Sequence, residues 1–359
     1  MAPRIPLIRA ALQPLRPSSS TPAKSSVRTY AIQQPGAPTI NVFSSQSKYL
    51  QRSRAAQDVE HSRRVDYVRD EVAFRLSTRL LDINRRFDNV LDYGANACNI
   101  ARILTQPDPD PDSSRPVAEP LSTKVGKITC ADTNEAMLYR DADLPFNKDI
   151  DITRDVLQNP EYLPYAANSF DLVLSSLSLH WINDLPSVLT QINHILKPDS
   201  PFIAAMFGGD TLYELRGSLQ LAESERLGGI GTHVSPLADV RDVGNLLNRA
   251  GFNLLTVDVD DIIVSYPSTF ELIQDLQAMG ESNAALRREP GLGGLKRETL
   301  LANDAIYREL YGDEDGTVPA TFRTIYMIGW KKGEGQAKPL ARGSGEINMK
   351  DFLESGGKK

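Results

Sequence analysis

Residues 89–104, NVLDYGANACNIARIL, pass from an apolar strand pattern through a glycine turn into a helical pattern. Residues 89–93 read as a short strand and a helix opens at Asn99, so a strand feeds directly into a helix. The unit then repeats. KITCA (127–131) is a second strand with a helix from Asn134, and residues 150–154 are a third. FDLVLS (170–175) is a fourth, nearly all apolar as expected of a strand buried on both faces, and residues 201–206 are a fifth. Between the last two, Leu185, Val188, Leu189, Ile192, Ile195 and Leu196 form a helical stripe. Strands alternating with helices imply right-handed crossovers around a parallel sheet.

The flanks are organised differently. An amphipathic helix is expected over 66–81, with Val68, Val72, Leu76 and Leu80 four residues apart. The second half is more helical. Thr211 with Glu214, and Ser268 with Glu271, have capping-box spacing, and Ser235-Pro236 predicts a helix start that Gly251 stops. Residues 254–266 are β-rich, and 322–330 form a late strand completing the sheet. Residues 106–125 hold PDPDPDSSRP, whose Pro, Asp and Ser density cannot bury a core, so an exposed insertion is expected there. The expected organisation is a presequence over 1–30, a basic extension over 31–65 and one α/β domain over 66–332. A helix-rich addition lies within that domain at 211–312, and a loose tail follows over 333–359.

Charge is uneven along the 359 residues. Before Asp58 there is no acid, while Arg4, Arg9, Arg16, Lys24, Arg28, Lys48, Arg52 and Arg54 are all basic. An Arg- and Ser-rich, acid-poor leader without a continuous apolar run predicts mitochondrial import rather than secretion. Processing after Tyr30 removes five basic residues and leaves 35 against 46 acids, a net of −11. Such a body is a poor match to nucleic acid. No stretch approaches the roughly 20 apolar residues of a membrane span, so membrane association is expected to be peripheral. Cys98 and Cys130 are too few for a zinc site and read as small packing residues.

Three carboxylates stand just after three successive strands, where open α/β sheets bind ligands. Asp92 precedes Gly94, whose missing Cβ lets backbone approach a cofactor. Asp132, with Thr133 beside it, is placed to accept from both hydroxyls of a ribose. Asp155 is placed to accept from an adenine amino group while Val156 offers its backbone N–H. Any one of them alone reads as a solvated loop acid; all three in order predict a nucleoside-bearing ligand. A nicotinamide dinucleotide is disfavoured because no G-x-G-x-x-G opens the first helix.

The run LPYAANSFDLV (163–173) resembles the fourth-strand region of class I S-adenosylmethionine-dependent methyltransferases. That resemblance implies their Rossmann-like α/β fold, a mostly parallel sheet with helices on both faces, here with helical additions in the C-terminal half. Their usual turn has an acid followed by three alternating glycines. Only Gly94 stands here, with Asn96 and Cys98 in the other two places; Asn tolerates the left-handed conformation, so the turn is expected to survive. A closer resemblance rests on SSLSLHWINDLP (175–186), MFGGDTLYELRGSLQLAESER (206–226), HVSP (233–236), AGFNLLTVDVDDI (250–262), DLQAMGESN (275–283), DGTVPATF (315–322) and IGWK (328–331). These look like the mitochondrial complex I assembly factor 5 family, and more distantly like malonyl-carrier-protein methyltransferases. The resemblance implies a matrix protein held at the inner membrane. It further implies hydroxylation of an arginine on an iron–sulfur subunit of respiratory complex I, with an S-adenosylmethionine-type site. Two other readings stay open: methyl transfer to a protein or carrier-bound carboxyl, and a non-catalytic assembly chaperone.

His180 and Trp181 follow the fourth strand, at the mouth where an acceptor would meet the cofactor. His180 is the candidate general base, and Trp181 is a surface on which a guanidinium can stack. Packing of both at the sheet edge is the equal alternative. His233 sits beside Gly228, Gly229 and Gly231, a candidate lid. Tyr213 and Arg216 share a helix that Leu212, Leu215 and Leu219 make chiefly a packing element. None of His61, His180, His194 and His233 begins an H-x-D/E step, so no non-haem iron triad is legible.

Overall fold

A computed structural model describes residues 41–107, 120–286 and 295–336. The expected presequence, residues 31–40, the proline-rich part of the insertion and the tail beyond 336 lie outside the described residues. From the N-terminal side come α1 (Ser45–Gln57), α2 (Val59–Arg64), α3 (Tyr67–Thr78), β1 (Phe87–Tyr93), α4 (Asn99–Thr105), β2 (Val125–Asp132) and α5 (Glu135–Leu138). Then follow β3 (Asp151–Val156), β4 (Leu172–Ser176), α6 (Leu185–Ile195), β5 (Pro201–Phe207), α7 (Tyr213–Leu227) and α8 (Val240–Arg249). The chain finishes with β6 (Phe252–Tyr266), α9 (Thr269–Ala278), α10 (Arg297–Tyr311) and β7 (Val318–Lys331).

The strands form one sheet in the order β3-β2-β1-β4-β5-β7-β6. The first five are parallel, and β7 runs antiparallel to both β5 and β6. The late strand therefore completes the sheet from inside, between β5 and β6, rather than at its edge. The edge on that side falls to β6, whose Asp258 and Asp260 form salt bridges with Arg79, the C-cap of α3, and Arg75 within it. Such charges blunt an edge against unwanted strand pairing.

Alternation along the buried strands feeds two cores. Leu172 and Leu174 of β4, with Ile203 and Ala205 of β5, pack with α3, α4 and α7 on one face. Val173, Phe202, Ala204 and Met206 point the other way, toward Val188, Leu189 and Ile192 of α6 and Val243 and Leu247 of α8. A period of two in the strands and 3.6 in the helices explains why both faces need cover.

Three local expectations need correction. The Thr211–Glu214 box does not form, because β7 supplies stronger partners. Thr211 Oγ1 donates to the Arg323 carbonyl at 2.8 Å, and the buried Glu214 carboxylate takes the Thr321 backbone N–H at 3.3 Å. Ser268 does cap α9, but by accepting from Phe270 N, while its hydroxyl donates to Glu271. The helix expected from Ser235 begins only at Val240, capped by Asp239. Ser235 instead donates to Asn283 at 2.9 Å, which leaves the preceding loop as a wall of a cavity. The stop at Gly251 holds, with φ +88°.

The first turn survives its lost glycines. Gly94, Asn96 and Cys98 all adopt the left-handed conformation, at φ +70°, +51° and +60°. Asn96 compensates by donating from Nδ2 to the Gly94 carbonyl at 3.1 Å. Cys98 and Cys130 are free and buried, as small packing residues should be. Cys98→Gly should change stability by no more than about 1 kcal/mol, because relief of left-handed strain offsets loss of a small buried side chain. Urea denaturation measures this; a loss of about 3 kcal/mol would mean the thiol's packing outweighs its backbone strain.

Candidate functional site

A cavity of about 490 Å³ opens where β1, β2 and β3 end. Gly94, Asp132, Thr133 and Val156 line it. Asp132 is almost wholly buried, and its two oxygens accept from the backbone N–H groups of Asn96 at 3.0 Å and Asn134 at 2.9 Å. The turn and the strand end thus share one carboxylate, which each holds in place.

Asp92, Asn96 and Asp155 were expected at the ligand but do not line the cavity. Asp92 is fully buried, neither oxygen has a hydrogen-bond partner, and burial, with Cys98 and Asp132 nearby, pushes its pKa well above the usual range. It sits beneath the turn, away from the cavity. Asn96 serves the turn through its backbone. Asp155 Oδ2 accepts from the Tyr165 hydroxyl at 2.7 Å.

The fourth wall comes from α1, which lies within the expected basic extension. Lys48, Tyr49 and Arg52 line the cavity from that helix. Arg52 lies 3.6 Å from Asp132 Oδ1, and its buried Nε has no partner. Lys48 Nζ donates to the carbonyls of Gly280 and Ser282, both at 3.0 Å, and sits 3.3 Å from the Trp181 ring centroid. Burial pushes Lys48 down to about 7, against the raising effect of Glu281.

Trp181 divides this cavity from a second one of about 310 Å³, lining both. Lys48 occupies one ring face, and the indole N–H donates to Glu281 Oε2 at 2.8 Å. The tryptophan expected as a stacking surface is thus a partition fixed from two sides. His180 lines the second cavity. Burial lowers its pKa, so the imidazole is neutral; Nε2 is 3.7 Å from Glu281 and neither ring nitrogen has a hydrogen-bond partner. His233 also lines it, paired at 2.5 Å with the buried Glu223, which accepts the Gly231 N–H as well. Arg216 donates to the Gly209 carbonyl, and Tyr213 is half exposed; neither lines the two cavities.

Glu281 joins the two cavities electrically, and sequence reading passed it by. It accepts from Arg69 at 3.0 Å and lies 3.7 Å from Lys48. Burial alone would raise its pKa, but the charges of Lys48, Arg69 and Arg52 hold it well below its ordinary 4.5. A depressed carboxylate pKa adds stability above 4.5 that is lost as pH falls through the lower folded value. The thermal-midpoint gap between wild type and Glu281→Gln should therefore be widest at neutral pH and shrink below about 4.5. A gap independent of pH would mean Glu281 acts through packing alone.

Among the described residues there is no cluster of metal-ligating side chains and no helix long and apolar enough to cross a membrane. The strand order, the strand-end acid and the cavity beside it define a Rossmann-like protein of the class I methyltransferase superfamily. Residues 114–204 match the family described as "Methyltransferase domain". The chain belongs to the mitochondrial arginine-hydroxylase NDUFAF5 family. It is 48% identical to the human "Arginine-hydroxylase NDUFAF5, mitochondrial" over 89% of this chain and 87% of that protein. The Dictyostelium discoideum protein of the same name is 37% identical over 87% and 71% of the two chains. A "Malonyl-[acyl-carrier protein] O-methyltransferase" of Halorhodospira halophila is 31% identical over 78% and 85%.

Proposed function

We propose that this chain hydroxylates an arginine of an iron–sulfur subunit of respiratory complex I during assembly, with dioxygen and an external two-electron donor as co-reactants, so that one oxygen atom enters the arginine and the other leaves as water. The same reading places it in the mitochondrial matrix, peripheral to the inner membrane, with S-adenosylmethionine in the larger cavity. The observation that carries the cofactor reading is Asp132, with Arg52 beside it at the β2 end. Each Asp132 oxygen takes one backbone N–H and keeps a lone-pair site for a ribose hydroxyl. The unpartnered Nε of Arg52 suits an amino-acid carboxylate. Val156 and Thr133 complete the nucleoside wall. When bound, S-adenosylmethionine supplies a sulfonium methyl group. Around it, Trp181 separates the nucleoside side from the acceptor side, and neutral His180 is placed to take a proton from an acceptor. The names of the relatives support the arginine reaction, and the acid-free leader supports the matrix address.

Mass spectrometry of the iron–sulfur subunit, with and without this chain, tests the proposal. One arginine should carry a single added oxygen only when the chain is present. Unmodified arginines in both samples would overturn it, and a methyl increment on a carboxyl would favour methyl transfer instead.

A further inference from the structure

Residues 228–239 join α7 to α8 without forming a helix or strand, and they carry His233 and the glycines before it. Gly231, Thr232, His233, Val234, Ser235 and Leu237 line the smaller cavity on one side. The same residues line a third cavity of about 300 Å³ on the other, with Arg216, Gln220 and Pro236 beside them. One thickness of chain therefore separates two spaces, and the outer space gives it room to move. Among the described residues, 229–237 make no backbone–backbone hydrogen bond; the next is from Gly209 N to the Ala238 carbonyl, at 3.1 Å. A segment without ladder bonds and with voids on both sides belongs to the parts of a fold that open locally.

Side chains hold it shut instead. Glu223 of α7 is wholly buried; its Oε2 accepts the Gly231 N–H at 2.6 Å, and its Oε1 pairs with His233 Nε2 at 2.5 Å. Among the described residues, His233 is the one basic side chain in salt-bridge reach of that carboxylate. A buried carboxylate without partners is strongly unfavourable, so Glu223 needs either the loop in place or water in its stead. The fit at Gly231 is close, since a Cβ there would stand 3.0 Å from His233 Nε2 and 3.1 Å from Glu223 Oε2. Farther along, Asn283 Nδ2 donates to the Thr232 carbonyl at 2.8 Å, and Ser235 Oγ donates to Asn283 Oδ1 at 2.9 Å. The hinge falls at Gly228, which caps α7 at φ +67° with open space where a Cβ would stand.

We propose that residues 229–238 are a lid on the smaller cavity, latched to α7 by Glu223 through Gly231 and His233, and that releasing the latch admits the acceptor. Glu223 lines neither the larger nor the smaller cavity, so it is a positioning residue that acts through the loop. Only the word acceptor rests on the function proposed above; the latch does not.

Thermolysin digestion of the folded full chain, with cleavage sites mapped by mass, reads how often the lid opens. Ile230, Val234 and Leu237 supply cleavage sites within it. Glu223→Ala should raise cleavage within 229–238 about tenfold or more, through loss of two hydrogen bonds to a carboxylate. Glu223→Gln, which still accepts the Gly231 N–H, should restore part of the protection. A second readout is access to the cavity. Trp181 lines it and is the chain's only tryptophan in a Trp330→Phe background, so acrylamide quenching of its fluorescence should rise in Glu223→Ala and fall back in Glu223→Gln. His233→Ala, which alters only the partly exposed end of the latch, decides the matter where Glu223→Ala melts early; cleavage confined to the loop should still rise severalfold. If loop cleavage is unchanged in His233→Ala, or rises only together with cleavage of the strands, the latch is overturned. More loop cleavage with unchanged Trp181 quenching would show a loop that covers nothing, and overturns the lid. Both readouts rising in a chain that leaves arginine unmodified would keep the lid and remove only the function proposed above.

Discussion

Asp132→Ala should lower S-adenosylmethionine affinity by about a hundredfold, the loss of two hydrogen bonds to a charged acceptor. The same change strips partners from three groups at once: the backbone N–H of Asn96, that of Asn134, and the Arg52 guanidinium. Leaving these groups unpaired in a buried site should also cost about 2–4 kcal/mol of stability. Asp132→Asn separates the two effects, since the amide oxygen still accepts one backbone N–H while the charge is gone. Calorimetry and urea denaturation read affinity and stability respectively. Unchanged affinity in Asp132→Ala would show that the ribose lies elsewhere.

Gly94→Ala should be nearly as damaging, for a steric reason. Gly94 holds φ +70°, which an L side chain adopts only at a cost of about 1–2 kcal/mol. An added Cβ would stand 2.3 Å from both Cβ and Oγ of Ser178. Ser178 cannot swing aside freely, because its hydroxyl donates to the Gly94 carbonyl at 2.7 Å. Relieving the overlap must therefore move the turn, adding about 1–3 kcal/mol. The expected result is a total loss of about 3 kcal/mol, with cofactor affinity falling more than tenfold. A variant with wild-type melting and binding would mean the turn is free to shift and is not a fixed cradle.

The parallel half of the fold was legible because most of its strands carry simple signals: β2 and β5 are largely apolar runs ending at Asp132 and Gly208, and β4 is apolar until its closing serines. Asn96 could be read as a glycine substitute because its side chain tolerates the left-handed region, and it does so at φ +51°. Cys98 at φ +60° has no such excuse in its chemistry, and its backbone angle follows from the turn around it. Asp132 was legible from its position alone, whereas Asp92 and Asp155 had equally good positions. What separates them is three-dimensional: Asp92 points into the core beneath the turn, and Asp155 is taken by Tyr165.

The α1 contribution was missed because Lys48, Arg52 and Arg54 read as the end of a basic leader. Ser44 as an N-cap before SQSKYLQRSRAAQ was the available signal of a helix. Glu281 stood in plain view within DLQAMGESN, yet a single acid between Gly280 and Ser282 says nothing of the cations that α1 and α3 bring to it. The failed capping box has the same cause. Local spacing predicts local bonds, and β7, about a hundred residues further on, outbids them for Thr211 and Glu214.

The central claim is that the turn keeps a working ligand site despite Asn96 and Cys98. Calorimetric titration of the wild-type chain with S-adenosylmethionine and S-adenosylhomocysteine tests it most directly. Saturable binding at one site per chain is the predicted result. No heat of binding for either compound, at concentrations that saturate ordinary methyltransferases, would contradict it.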